Sequence, residues 1–182
     1  MYDRQALIAL VQETALEHGD FTLASGKKAS FYLDCRKLTL DSRGANLIAD
    51  GILELLGDEL PDAVGGMAVG ADPITGAVIT VAGRTGRRLR GFIVRKEAKA
   101  HGKGRDVEGP VKAGDRVVIV EDVVTTGGSS LLAIEKAEAA GLQVVGVIAI
   151  IDRLEGGAEA FASRGYQLRT LLTIRDLGIQ PS

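Results

Sequence analysis

Residues 117–130 decide the fold of this chain, because they combine a strand, a glycine turn and the start of a helix. The sequence there is Val117-Val118-Ile119-Val120-Glu121-Asp122-Val123-Val124-Thr125-Thr126-Gly127-Gly128-Ser129-Ser130. Its first four residues are β-branched, as expected for a strand of a parallel sheet that is covered on both faces. We therefore predict a strand from Arg116 to Val120 and a helix from Gly127 to Ala140.

The same order of strand, turn and helix repeats on both sides of this segment. We predict further strands at 63–69, 88–94, 143–151 and 167–172, and helices at 74–82 and 158–164. This alternation indicates an α/β fold, an open and mostly parallel twisted sheet flanked by helices. Residues 60–155 supply the core sheet of a single domain, 1–182.

The N-terminal part differs in pattern and predicts a small hood. Asp3 caps a helix that ends before Gly19, residues 21–23 and 31–34 form a hairpin, and a second helix runs from Asp41 or Ser42 to Leu56. We expect about residues 1–40, together with the C-terminal part of the chain, to form this hood.

Composition excludes several classes of protein. With 182 residues, one domain is expected, and a net charge of −2 argues against binding nucleic acid through bulk positive charge. The single cysteine, Cys35, cannot form an internal disulfide, and the polar N-terminus does not resemble a secretion signal. The longest apolar stretch, 144–151, is far shorter than the ~20 residues of a membrane span. We expect a cytoplasmic protein with neither a nucleic-acid nor a membrane partner.

The turn after the predicted strand has the chemistry of a phosphate site. Glycines 127 and 128 free backbone N–H groups at a helix N-terminus, and hydroxyls come from Thr125, Thr126 and Ser129. The carboxylates of Glu121 and Asp122 would repel phosphate unless they bind sugar hydroxyls, so a phosphorylated ribose satisfies both halves. The alternative is a solvated strand end with Thr126 as a helix cap. The motifs of P-loop and dinucleotide-binding proteins are absent from the sequence.

This string resembles the signature of the type I phosphoribosyltransferases. The resemblance implies that Glu121 and Asp122 hold the ribose hydroxyls of phosphoribosyl pyrophosphate (PRPP), and it makes Asp122 a candidate catalytic residue. It also implies that the following residues hold the 5-phosphate: Val123, Val124, Thr125, Thr126, Gly127, Gly128 and Ser129.

A second segment is strongly basic. Residues 84–105 contain nine Lys or Arg residues and one acid, Glu97, a composition that suits a polyanion on a mobile glycine loop. A solvated loop without a role is the alternative. The pattern R-K-x-x-K-x-H-G from Arg95 resembles the catalytic loop of the orotate phosphoribosyltransferases. That resemblance implies pyrophosphate contacts by Arg95, Lys96, Lys99 and His101, with Lys99 catalytic and part of the loop reaching a neighbouring subunit.

Two further segments resemble the same family. The hairpin around Phe31 and Tyr32 is similar to its N-terminal segment, which implies that both rings flank the pyrimidine. A basic residue of some members is replaced here by Ala24, so that this contact is missing or comes from Lys27 or Lys28. Arg153 follows a strand and could pair with the carboxylate of orotate, near Thr125. A surface Asp-Arg pair is the alternative.

The resemblance implies a complete reaction. PRPP and orotate would give orotidine 5′-phosphate and pyrophosphate, with Mg²⁺ held mainly through PRPP rather than by a direct protein ligand, in a homodimer with shared active sites. Two alternatives remain open: a purine-type phosphoribosyltransferase and a non-catalytic PRPP-sensing regulator. The turn at 70–76 lacks the lysine of several members, so no side-chain roles are transferred to it.

Overall fold

The N-terminal part of the chain folds into a helix and a hairpin in this computed structural model, which describes residues 2–22, 28–97 and 106–181. Helix α1 (Arg4–Leu10) begins at Asp3, whose carboxylate accepts a hydrogen bond from the N–H of Ala6, and it continues as a π-helical turn (Val11–Ala15). Strand β1 (Leu16–Thr22) then pairs antiparallel with β2 (Lys28–Leu33).

The predicted extent of the first helix is wrong at its C-terminal end. Residues 16–19 belong to β1, because Leu16 and Leu33 are paired across the hairpin. A short helix that the sequence did not indicate, α2 (Arg36–Thr39), follows the hairpin. The second predicted helix is confirmed as α3 (Ser42–Leu56), with the Asp41 carboxylate accepting from the N–H groups of Arg43 and Gly44.

A six-stranded sheet forms the centre of the described protein. Its strands and the intervening helices are, in chain order, β3 (Ala63–Met67), α4 (Ala71–Arg84), β4 (Arg90–Val94), β5 (Val107–Glu108), β6 (Arg116–Val124), α5 (Gly128–Ala139), β7 (Gln143–Asp152), α6 (Gly157–Ala162) and β8 (Leu168–Thr173). The spatial order is β5-β4-β3-β6-β7-β8, with all neighbours parallel except β4 and β5. The predicted α/β fold with a mostly parallel sheet is therefore confirmed.

Several boundaries differ from the predicted ones in ways that affect the site. Strand β6 continues to Val124, so that Glu121 and Asp122 lie within the strand rather than after it. Helix α4 begins at Ala71 instead of Ile74, and β5 lies inside a stretch predicted to be a loop. As a result, Glu121 and Asp122 at the carboxyl edge of the sheet belong to a strand, and Asp72 belongs to a helix, so regular secondary structure holds all three.

Both faces of the sheet are covered by apolar side chains. Val118 and Val120 of β6 belong to a cluster with residues of α1, α3 and α4, whereas Val117 and Ile119 pack on the other face with residues of α5 and with Phe161 of α6. This alternation follows from the two-residue period of a strand. The helices on the two faces thus fix the position of the strand ends.

The chain termini meet on one side of the domain. After β8, a 3₁₀ turn (Ile174–Leu177) lies near α1: an Arg4 guanidinium nitrogen is 2.7 Å from Asp176 Oδ2, and Gln12 Nε2 donates to the carbonyl of Leu177. These contacts agree with a hood built from both ends of the chain. Within the described residues, no helix combines the length and the apolar character needed to cross a bilayer.

Candidate active site

Two adjacent carboxylates lie at the carboxyl end of β6. Glu121 is 7% exposed, and its Oε2 accepts a hydrogen bond of 2.8 Å from the hydroxyl of Ser130 in α5. Asp122 is half-buried, with Oδ1 2.8 Å from the backbone nitrogen of Val123. The alternative interpretation is that these carboxylates lie at a solvated strand end. Glu121 is too buried for that interpretation.

The environment of Glu121 disfavours its charge. Burial raises the pKa of Glu121 to about 7, with the charge of Asp122 acting in the same direction and the Ser130 hydrogen bond against it. A carboxyl group that titrates near neutral pH can switch between accepting and donating a hydrogen bond in the site.

The turn between β6 and α5 exposes backbone donors. Gly127 precedes α5 with φ of +81°, a conformation that suits glycine, and no side chain in the described structure caps this helix terminus. Thr126 is therefore not the helix cap considered above. Thr126, Gly128 and Ser129 are exposed and Thr125 is half-buried, so residues 125–129, the phosphate loop, can reach an anion.

Helix α6 packs directly against this loop. A Cβ atom on Gly157 would lie 2.3 Å from Val124 Cγ1 and 2.8 Å from the carbonyl oxygen of Thr125, so the two segments are in direct contact. A Cβ on Gly127 would lie 3.0 Å from the ring of Phe161, which is fully buried. Sequence reasoning missed both supporting residues, Gly157 and Phe161, because they lie about thirty positions downstream of the loop they contact.

The turn after β3 faces the two carboxylates. A Cβ on Gly70 would lie 3.5 Å from Asp122 Oδ1 and 3.6 Å from Glu121 Oε1, and the Ala68–Val69 peptide bond of this turn is cis. Asp72 follows in α4, where its Oδ1 is buried without a hydrogen-bond partner in the described structure. Burial raises the pKa of Asp72, an effect that the charge of Arg95 opposes.

Arg95 and Lys96 lie just beyond β4, at the start of the R-K-x-x-K-x-H-G pattern. Arg95 is half-buried, its Nε lies 2.5 Å from Glu108 Oε1, and Lys96 is exposed. Lys136 of α5 donates to the carbonyl oxygens of both residues and to Asp106 Oδ1. The two predicted catalytic-loop residues Lys99 and His101 lie outside the described residues, as do Ala24 and Lys27.

Arg153 follows β7 and contacts the N-terminal hairpin. Its guanidinium carbon is 4.8 Å from the ring centre of Phe31, and one of its terminal nitrogens is 2.7 Å from Glu155 Oε1. The Nε of Arg153 is buried without a partner in the described structure. Because its ionic partner is Glu155, the surface pair with Asp152 considered above is not formed. Tyr32 packs instead against Phe21, with ring centres 5.8 Å apart.

The site thus gathers groups from three neighbouring strands. The carboxylates and the phosphate loop follow β6, the Gly70 turn follows β3, and Arg153 follows β7, at the edge where open α/β sheets bind ligands. Residues 2–22, 28–97 and 106–181 hold no group of three or more His, Cys, Asp or Glu side chains placed for a metal ion. Glu121 and Asp122 nevertheless fit Mg²⁺ held mainly by substrate phosphates, since Mg²⁺ commonly takes one or two carboxylates in such sites.

Comparison with known proteins places this geometry in a class. The model of the phosphoribosyl transferase domain matches residues 41–165, more than half of the chain. The chain therefore contains a phosphoribosyl transferase domain.

Individual relatives identify the family within this class. An orotate phosphoribosyltransferase of Rhodopirellula baltica is 56% identical over 185 residues, covering 98% of this chain and 96% of the relative. A crystal structure of the Mycobacterium tuberculosis orotate phosphoribosyltransferase with Fe(III) dicitrate has a TM-score of 0.86 at 41% identity, covering 97% of this chain and 99% of that one. The structure of the same enzyme with PRPP has a TM-score of 0.84 at 36% identity, with coverage of 97% and 99%. This chain belongs to the orotate phosphoribosyltransferase family.

Proposed function

We propose how this chain performs the reaction of its family with the residues described above. The reaction transfers the phosphoribosyl group of PRPP to orotate and yields orotidine 5′-phosphate and pyrophosphate, a step of pyrimidine biosynthesis. The observation that carries the proposal is the uncapped N-terminus of α5 beside the carboxylates of Glu121 and Asp122. An anion site next to two sugar-binding carboxylates fits the 5-phosphate and the ribose of one substrate.

The phosphate loop binds the 5-phosphate. Its residues supply backbone N–H groups and the hydroxyls of Thr125, Thr126 and Ser129, with Val123 and Val124 leading into it from β6. The dipole of α5 adds to the attraction for a dianion. Glu121 and Asp122 accept hydrogen bonds from the ribose hydroxyls. Both carboxylates therefore orient the ribose ring without touching the phosphate.

The chemical step exchanges one bond at C1 of the ribose for another. The C1–O bond to pyrophosphate breaks with its electron pair leaving on oxygen. A ring nitrogen of orotate forms the new bond to C1 and gives up its proton, which the departing pyrophosphate can accept. Positive charge develops on the ribose during this exchange, so Asp122 stabilises the transition state electrostatically. Arg95, Lys96, Lys99 and His101 stabilise the negative charge on the departing pyrophosphate.

Magnesium contributes charge neutralisation when it is bound by PRPP. Glu121 and Asp122 are the protein groups suited to approach such an ion, with the substrate phosphates supplying most of its ligands.

Arg153 and Phe31 recognise orotate. The half-buried guanidinium can form a bidentate pair with the orotate carboxylate, and the Phe31 ring supplies an apolar surface for the pyrimidine. The backbone N–H of Arg153 donates to the carbonyl of Val124 at 2.9 Å. Thr125 is the next residue after Val124 and therefore lies close to Arg153. Tyr32 stays a predicted orotate contact, although its described ring contact is with Phe21.

The assembly and location of the enzyme are part of this proposal. The proposal includes a homodimer with shared sites and a cytoplasmic location, as expected from the family resemblance. It also includes a hood formed by both ends of the chain, which the Arg4–Asp176 contact supports. The two alternatives, a purine-type transferase and a non-catalytic PRPP sensor, are not favoured, because the relatives named above are orotate enzymes.

Replacement of Lys99 by alanine tests the assignment of the basic segment. We expect Lys99→Ala to lose most of kcat, on the order of 100-fold or more, because the leaving pyrophosphate loses a cation. Unfolding followed by circular dichroism should show an unchanged midpoint. Lys112→Ala removes an exposed lysine next to Asp115, before β6 and away from the carboxyl edge, and is the matched control. Near wild-type turnover of Lys99→Ala would contradict the assignment.

A further inference from the structure

Lys136 of α5 contacts the base of the basic segment, which consists of Arg95 and Lys96 after β4 and Asp106 before β5. Its Nζ lies 2.8 Å from the carbonyl oxygen of Arg95, 3.0 Å from that of Lys96 and 2.9 Å from Asp106 Oδ1. An ammonium group has three donors, and these three acceptors use all of them. The Lys136 side chain is 17% exposed and that of Asp106 is 41% exposed, so Lys136 is mostly shielded from water while its partners are less so.

The two parts of the chain at this base are already joined by other hydrogen bonds, so the contacts of Lys136 have a further effect. The N–H of Arg95 already donates to the carbonyl of Asp106 at 2.8 Å, and β4 pairs with β5 through Ile93 and Val94. Lys136 adds hydrogen bonds to two consecutive carbonyl oxygens, which fixes the backbone orientation of Arg95 and Lys96. The direction of both cationic side chains depends on that orientation.

The charges around Lys136 permit this arrangement. Arg95 and Lys96 are themselves cationic, and a third cation would repel them without compensation. Asp106 pairs with Lys136 and Glu108 pairs with Arg95, so two of these three cations each face a carboxylate.

The position of Lys136 connects two parts of the site. It lies on α5, whose N-terminus forms the phosphate loop, and it contacts the residues proposed to hold pyrophosphate. We infer that Lys136 is a positioning residue, which holds Arg95 and Lys96 at a set distance from the phosphate loop so that both phosphate-bearing ends of PRPP bind together. This inference rests on the assignment of Arg95 and Lys96 to pyrophosphate.

Separate binding of the two ends of PRPP tests the inference. In Lys136→Met, which keeps the length and apolar stem of the side chain, inorganic pyrophosphate should bind about tenfold or more weakly by calorimetry. Ribose 5-phosphate, which needs the phosphate loop, should bind within about twofold of wild type. Lys136→Arg retains donors and charge and should recover part of the loss.

Steady-state kinetics give a second measurement on the same variants. We expect the KM for PRPP to rise in Lys136→Met while the KM for orotate stays unchanged. Glu135→Gln is the matched control, because Glu135 lies on α5 next to Lys136. This substitution breaks only the exposed pair of Glu135 with Arg164 and leaves the base of the segment intact. Should Lys136→Met fail to fold, Asp106→Asn keeps Lys136 in place and should weaken pyrophosphate binding in the same direction.

Two results would overturn the inference. Equal weakening of pyrophosphate and ribose 5-phosphate would mean that Lys136 supports α5 as a whole, and unchanged binding of both would mean that it positions nothing. Absence of turnover in the wild-type protein would contradict the proposed reaction instead, while the comparison of pyrophosphate binding would still test Lys136.

Discussion

At the scale of single residues, Glu121 is the most unusual group in the site. It is a buried carboxyl beside a second carboxyl, and it accepts hydrogen bonds from the Ser130 hydroxyl and, at 3.3 Å, from the backbone N–H of Asp122. Such a group costs folding free energy when it is charged, and an enzyme retains it where it serves a ligand. Ribose hydroxyls in the site would replace the hydration that burial removes.

The pH dependence of stability tests this environment. The pKa of Glu121 is raised from 4.5 to about 7, so the native state holds a proton that the unfolded state releases between these values. Its contribution to stability is complete below about pH 4.5 and is lost as the pH rises through about 7.

Replacement by glutamine isolates this contribution from that of other groups. Relative to Glu121→Gln, the wild-type protein should lose on the order of 2 kcal/mol of unfolding free energy between about pH 5 and 8. Urea unfolding of both proteins at several pH values measures the difference. A difference that does not vary with pH would mean that Glu121 titrates normally.

At the scale of elements, the phosphate loop is positioned by α6 as well as by β6. Gly157 at the start of α6 allows the backbone of α6 to contact Val124 and Thr125 directly. Sequence reasoning found the loop because its glycines, hydroxyls and acids lie within one continuous stretch. It could not find Gly157, Ser130 or Lys136, because each acts through a partner that only the folded chain brings near.

Replacement of Gly157 by alanine should disturb the loop. The added methyl group would lie 2.3 Å from Val124 Cγ1, so the loop must shift, at a cost of about 1–3 kcal/mol of stability. We expect the KM for PRPP to rise about tenfold, because the backbone donors move away from the 5-phosphate. Gly83→Ala in α4, where a Cβ has no neighbour within 4 Å, is the control and should leave KM unchanged.

The boundaries of helices and strands were predicted correctly where neighbouring residues determine them, and wrongly where contacts with distant residues do. The periodicity of α3 and the Asp41 cap are local, and their prediction is confirmed. Residues 16–18 were predicted as helix, but their pairing with β2 makes them a strand, which shows that tertiary contacts outweigh helix propensity there. Strand β5 has two residues and exists because β4 lies beside it, so no periodicity could reveal it.

At the scale of the whole molecule, the N-terminal part of the chain and the sheet share one apolar core. Leu7 and Leu38 from the N-terminal part lie in the same cluster as Val118 and Ile148 of the sheet. No separate core is available in the described structure to let the N-terminal part fold alone. The predicted single domain is consistent with this packing.

Unfolding should therefore be a single cooperative transition. Leu38→Ala and Ile148→Ala, both at fully buried positions, should each cost about 2–5 kcal/mol and lower the same midpoint. Thermal unfolding followed by circular dichroism and by calorimetry measures this. Two transitions, with Leu38→Ala affecting one of them, would indicate an independent hood.

At this scale, the proposed function is the transfer of a phosphoribosyl group to orotate at the carboxyl edge of the sheet. The most direct test follows the absorbance of orotate after addition of PRPP and Mg²⁺, with and without the protein. We expect the absorbance to fall only with the protein present, with one pyrophosphate released for each orotate consumed. Unchanged orotate absorbance, or consumption of adenine or hypoxanthine in its place, would contradict the account.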